Sequence, residues 1–137
     1  MISYASQNDF TLSNEKEISL WIQEVITKEH LELGELSYVF CSDDFLHEMN
    51  LEYLEHDTLT DIITFDYREG QVISGEIYIS TDRVAENAKE FSVSFEEELH
   101  RVMIHGILHI SGYDDLSDTE EEQMRAKEDW ALALRKF

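Results

Sequence analysis

At 137 residues, 42% of them hydrophobic and 30% charged, the chain has the size and balance of one soluble globular domain with a buried core. Its charge is unusual: 31 acidic against 10 basic residues leave −21, a surface that on average repels phosphate backbones and speaks against nucleic acid as a partner. Cys41 is the only cysteine, which excludes an internal disulfide and any structural zinc site built from two cysteines of one chain. The opening MISYASQNDF has no basic start or apolar stretch of a secretory signal, and no apolar run approaches the roughly 20 residues of a membrane span, so a reducing cytoplasm is the simplest home.

In chain order, the mixed segment Met1 to Leu12 has room for a short strand. Ile18, Ile22, Val25 and Ile26, with Trp21 on the same side, predict a helix from Asn14 to about His30, capped by Ser13 or Asn14. LSYVFC, Leu36 to Cys41, is rich in β-branched and aromatic residues and reads as a strand. Ser42 then caps a helix to about Leu54, with Phe45, Met49 and Tyr53 on one stripe. Asp61–Tyr67 and Gly75–Ser80 are strands by composition, and Arg68–Ser74 between them, with Gly70, has the length of a loose hairpin. Val84, Ala88 and Phe91 predict a helix over Thr81–Phe91. Ser94 with Glu97, and Ser117 with Glu120, are capping-box pairs that open two further helices, the second with an apolar stripe of Trp130, Leu134 and Phe137.

No linker, repeat or low-complexity stretch divides the sequence, which predicts a single domain over 1–137. Proline is absent, so the turns rely on Gly, Asn, Asp and Ser. Strands and helices mix without regular βαβ alternation, and the expected class is α+β.

The helix opened by Ser94 carries His105 and His109. Residues four apart lie one above the other on a helix, so both imidazoles point the same way. Alone, such a pair is more often an ordinary helix face than a ligand set. Three features change the balance. The helix is otherwise apolar (Val102, Met103, Ile104, Ile107, Leu108, Ile110), and burial favours the neutral, ligating imidazole. Gly112 accepts the left-handed conformation that ends a helix. Beyond it the Asp114–Asp115 pair brings a carboxylate back as third donor, leaving an open position of the catalytic kind. His100 lies roughly 140° around the helix from His105, at about 100° per residue, and is expected at the surface. His30, His47 and His56 have no ligand-like spacing. In zinc peptidases a glutamate follows the first histidine as general base; here that residue is Gly106, which disfavours peptide hydrolysis and leaves the general base unassigned.

HGILHISGYDD resembles the HGxLHLxGYDH motif of the YbeY family, bacterial endoribonucleases of ribosomal RNA maturation. A second block, Met49-Asn50 and Tyr53, then Asp57 to Phe65, then Gly75-Glu-Ile, resembles the family's LNxxYRxxDxPTDVLSF and GDI segments. Together they cover about a third of the chain. The resemblance implies a small mixed sheet of about four strands flanked by about five helices. It implies a metal-dependent, single-strand-specific endoribonuclease acting on the 3′ end of small-subunit ribosomal RNA and in ribosome assembly. Its partners would be RNA, the small subunit and its basic proteins, with no membrane. By position His105 and His109 match the first two metal ligands, Asp114 matches the motif's aspartate, and Asp115 stands where the family has a third histidine. Zinc, one per chain, is the implied ion; the harder oxygen of Asp115 makes Mn²⁺ or another divalent ion a competitor. Thr60, Asp61, Thr64 and Asp114 are candidate substrate-cleft residues, although strand capping and packing explain the two threonines and Asp61 as well. Leu54 replaces the family's arginine, a natural phosphate clamp, and Leu59 its proline; Arg68 or Arg83 is a candidate substitute for the arginine.

Overall fold

A computed structural model describes residues 1–54 and 60–137. The expectations for His56 and for Asp57 to Leu59 therefore lie outside the described residues. Among the described residues nine elements follow one another: β1 (Ile2–Ser6), α1 (Glu15–Lys28), β2 (Glu32–Cys41), α2 (Asp43–Leu54), β3 (Ile62–Asp66), β4 (Val72–Ser80), α3 (Thr81–Glu90), α4 (Phe95–Ile110) and α5 (Asp118–Ala133). The sheet runs in the order β1-β2-β4-β3. β1, β2 and β4 are parallel, and β3 closes one edge antiparallel to β4. The mixed sheet and five helices are those expected of an α+β fold. The parallel share is larger than the irregular order of elements suggests, because α1 is a crossover between neighbouring parallel strands.

Period-two alternation sorts the strand residues onto two faces. Leu36, Tyr38 and Phe40 of β2 and Ile73, Ile77 and Ile79 of β4 are buried on one face with Ile18, Ile22 and Ile26 of α1 and Met103, Ile104 and Ile107 of α4. Each such side chain contributes about 1.5–3 kcal/mol by leaving water. Cys41, Ile63, Phe65 and Tyr78 turn to the other face and pack with Phe45, Leu46 and Met49 of α2. Burial pushes the Cys41 thiol up to about 12, so this cysteine is inert packing. Tyr38 Oη donates to the carbonyl of Met103 at 2.9 Å and Trp21 Nε1 to that of Ala131 at 2.7 Å, tying α4 and α5 to the layers beneath them.

Two glycines set how close α4 comes to the sheet. A Cβ on Gly75 would lie 2.4 Å from the Phe65 carbonyl oxygen and 2.9 Å from Ile110 Cδ1. A Cβ on Gly106 would lie 3.0 Å from Ile77 Cδ1 and 3.2 Å from Ile62 Cδ1. The glycine of the Gly75-Glu-Ile segment is thus a contact requirement, which lets the end of α4 rest on β4.

Several local expectations need correction. Asn14 is at φ 62° and its side chain makes no cap bond, because the chain enters α1 through a left-handed residue. Ser94 Oγ accepts from Glu97 N, but the Glu97 carboxylate is drawn away to Arg135, so only half of that capping box forms. The Ser117–Glu120 box forms in full. Among the described residues of α2, Leu46 and Asn50 are buried and Phe45 and Met49 pack half-buried beside them, while Tyr53 is exposed. On α5 Met124, Glu128, Ala131 and Leu132 are buried, Trp130 and the C-cap Leu134 pack half-buried against the core, and Phe137 lies past the helix end. Phe91 is exposed beyond α3.

Candidate metal centre

Helix α4 ends as its sequence requires. Tyr113 N donates to the carbonyl of Leu108 and Gly112 N to that of His109, with Gly112 at φ 112°. These paired bonds are the Schellman arrangement, and a glycine at that position carries no Cβ penalty. The reversed chain returns Asp115 over the histidine face.

Asp115 Oδ2 lies 3.4 Å from Nε2 of His105 and 3.4 Å from Nε2 of His109. The two imidazole rings are 4.5 Å apart, nearly perpendicular at 85°. One donor atom from each of the three residues lies within 4.8 Å of the others. His105, His109 and Asp115 thus form a cluster able to hold a metal ion. Asp114 points elsewhere, into a cleft of about 550 Å³ with His109, Ile110, Ile62, Thr64 and Asp66. Asp61 lines a second cavity of about 300 Å³, on the side of His105 and Asp115, with Asn87, Glu98, Arg101, Arg125 and Glu128. Thr60 Oγ1 donates to the carbonyl of Ile62, a local turn bond. The four substrate-cleft candidates are therefore divided: Thr64 and Asp114 on one side of the cluster, Asp61 on the other, Thr60 in the chain leading to β3.

A residue that sequence reasoning missed completes the centre. Glu128 of α5 is buried, and its Oε2 lies 2.6 Å from His105 Nδ1. Its Oε1 accepts from Arg101 at 2.8 Å, and the other arm of Arg101 reaches Asp129 at 2.7 Å. A carboxylate accepts only, so His105 donates from Nδ1 and its Nε2 lone pair faces Asp115 and His109. Burial works against charge on His105, but the Glu128 hydrogen bond and the charges of Glu128, Asp115 and Asp61 together outweigh it and raise its pKa. Burial likewise pushes the Asp61 carboxyl up, partly offset by His105, and the Glu98 carboxyl up, reinforced by Asp61. The available signal was a glutamate on the buried stripe of α5, between Met124 and Leu132.

His100 corrects an expectation. It is 8% exposed, not a surface residue, and packs against Trp21 and Phe137. Arg135 donates to its Nδ1 at 2.8 Å. Of the two arginines considered as phosphate ligands, Arg83 is held by Asp43 at 2.9 Å. Arg68 lies at the end of α4, donating to the carbonyls of Ile110 and Gly70.

The family model described as Endoribonuclease YbeY matches residues 3–135. The chain belongs to the YbeY family. Proteins named endoribonuclease YbeY from Flavobacterium johnsoniae and Phocaeicola vulgatus are 53% and 49% identical to it, each over 98% of this chain and over 96% and 98% of the relative. One from Amoebophilus asiaticus is 54% identical over 87% of this chain and 82% of its own length. A solution structure of a Thermotoga maritima protein superposes with a TM-score of 0.69 at 31% identity, covering 98% of this chain and 88% of the other.

The donor set suits a divalent ion on its own chemistry. Two neutral imidazole nitrogens and one carboxylate oxygen are ordinary ligands of zinc and tolerable ones for manganese, and the outer carboxylate on His105 fixes the ligating tautomer. No helix of the described residues is long and apolar enough to cross a membrane.

Proposed function

We propose that this chain, acting as a single domain over 1–137, is a metal-dependent endoribonuclease for single-stranded RNA. Its place is the maturation of the small-subunit ribosomal RNA 3′ end and ribosome assembly in the cytoplasm. The observation that carries the reading is the convergence of His105, His109 and Asp115 within 4.8 Å, buttressed by Glu128, in a chain of this family. These three residues hold one ion per chain, zinc with Mn²⁺ in competition because Asp115 supplies oxygen. When bound, the ion supplies a Lewis acid for a phosphoryl oxygen and for water. The protein's part is positional. Glu128 keeps the His105 ring and tautomer fixed, the Schellman turn sets Asp115, and Thr64 and Asp114 form the wall of the cleft beside His109 in which the strand lies. Gly106 faces Ile77 and Ile62, so a peptidase's glutamate has no room there to reach the centre.

The −21 charge favours a second role alongside the first: the acidic surface suits basic proteins of the small subunit. Cleavage of a labelled single-stranded RNA separates the readings. Cleavage lost in His109→Ala and in chelated protein, and restored to the chelated wild type by zinc or manganese, is the expected result. Binding to ribosomal proteins without metal-dependent cleavage would leave an assembly factor and overturn the enzyme.

A further inference from the structure

An RNA strand brought to so acidic a chain needs a cation that is not already neutralised. Most of the ten basic side chains fail this test or lie elsewhere. Arg83, Arg101, Lys127 and Arg135 are each held by a carboxylate within 2.9 Å. Arg125 shares its cavity with four carboxylates, Asp61, Glu98, Asp115 and Glu128, twice the number (Asp66 and Asp114) that line the His109 cleft, and so is the more hostile place for a phosphate. Lys16 and Lys28 belong to α1 and Lys89 to α3, and Lys136 lies past α5.

Arg68 is different. Its guanidinium is held by three neutral acceptors: the Gly70 carbonyl at 2.7 Å, the Ile110 carbonyl at 3.2 Å and the Gln71 side-chain oxygen at 3.3 Å. Neutral acceptors orient the head without cancelling its charge. Each of the three bonds uses a different nitrogen, so among the described residues two of the five N–H groups remain for a ligand. The position is also right. Ile110 follows His109 and lines the same cleft of about 550 Å³, and the backbone N–H of Arg68 is held by Asp66, another lining residue. A Cβ on Gly112, in the turn between His109 and Asp115, would lie 3.9 Å from Arg68 Nη1.

We propose that Arg68 is a phosphate anchor of the RNA site, gripping a backbone phosphate next to the scissile one where the strand leaves the His109 cleft. This rests on the endoribonuclease reading. A guanidinium fork fits two phosphate oxygens at once, which lysine cannot reproduce.

The test measures single-stranded RNA binding and cleavage by the metal-loaded wild type, Arg68→Gln and Arg68→Lys, with bound metal and thermal midpoint alongside. Arg68→Gln should raise KM about tenfold with kcat within a few-fold, and lower the slope of log affinity against log salt by about 0.7. Arg68→Lys should recover only part. RNAs carrying one neutral methylphosphonate near the scissile position supply the second measurement: one placement should weaken the wild type and leave Arg68→Gln unchanged. If the wild type cleaves RNA but Arg68→Gln matches it in KM and salt slope, the anchor is refuted and the endoribonuclease reading stands. A loss of thermal midpoint or metal that accounts for the whole defect would make Arg68 a helix-end brace only, and also refutes it. A wild type that neither binds nor cleaves RNA overturns both.

Discussion

His100 and His105 sit five residues apart on one helix, both withdrawn from solvent and both hydrogen-bonded through Nδ1, yet they have opposite chemistry. His100 accepts from Arg135, and burial, reinforced by the Arg135 charge, lowers its pKa to about 4. His105 donates to Glu128, and that carboxylate outweighs burial. The sign of the partner decides the role. A cation across Nδ1 makes a neutral packing residue; a carboxylate there makes a donor whose Nε2 is turned towards Asp115 and His109. Burial alone, the property used to favour histidines as ligands, does not distinguish them.

The largest way to break this contrast is to delete each imidazole. His105→Ala should cost metal affinity by more than the roughly 100-fold attached to losing an outer partner, with cleavage lost in step. His100→Gln should keep the full metal complement and lose stability instead, by about 1–3 kcal/mol from its disturbed Arg135 bond and packing, seen in urea unfolding. Equal metal loss in both would erase the distinction. Next comes the partner itself: Glu128→Gln should lower metal affinity roughly 10–100-fold in competition with a chromophoric chelator while the fold persists. An unchanged affinity would show that Glu128 only anchors α5 through Arg101.

Titration sharpens the comparison further. His100 has a folded pKa below its unfolded value of about 6.5, so the unfolded chain takes up the proton first. Its contribution is intact above pH 6.5 and is lost as pH falls through about 4. Glu97 and Glu96 nearby oppose part of the shift, and solvent screening brings the loss to the order of 2 kcal/mol. Denaturant midpoints of wild type and His100→Gln, followed between pH 7 and about 4, should converge as the wild type loses its advantage. Parallel curves would contradict the assignment. The smallest effect belongs to Asp129→Asn: an unchanged metal affinity and under about 1 kcal/mol of stability in urea unfolding, since this end of the Arg101 network is exposed.

Much of this was legible in the residues, and the misses have physical causes. The helix bearing His105 and His109, its stop at Gly112 and the strands around Ile63 and Ile77 follow from local spacing and turn chemistry. Choosing Asp115 over Asp114 does not: both follow the turn, and only the direction in which the Schellman bonds send the chain turns Asp115 to the imidazoles and Asp114 to the cleft. Glu128 is a long-range partner, 23 residues from His105. The angle of His100 from His105 predicts a surface position for His100. That inference assumes a helix with one free face, and the face of α4 that bears His100 is covered by Trp21, Arg135 and Phe137.

The most direct test is a titration of metal-free protein with Zn²⁺ and with Mn²⁺, comparing wild type, Asp115→Ala, Asp115→His and Asp114→Ala. The account predicts one ion per wild-type chain, a site crippled by Asp115→Ala, restored with a stronger zinc preference by Asp115→His, and untouched by Asp114→Ala. Wild-type binding by Asp115→Ala, or no divalent binding by the wild type, would contradict it.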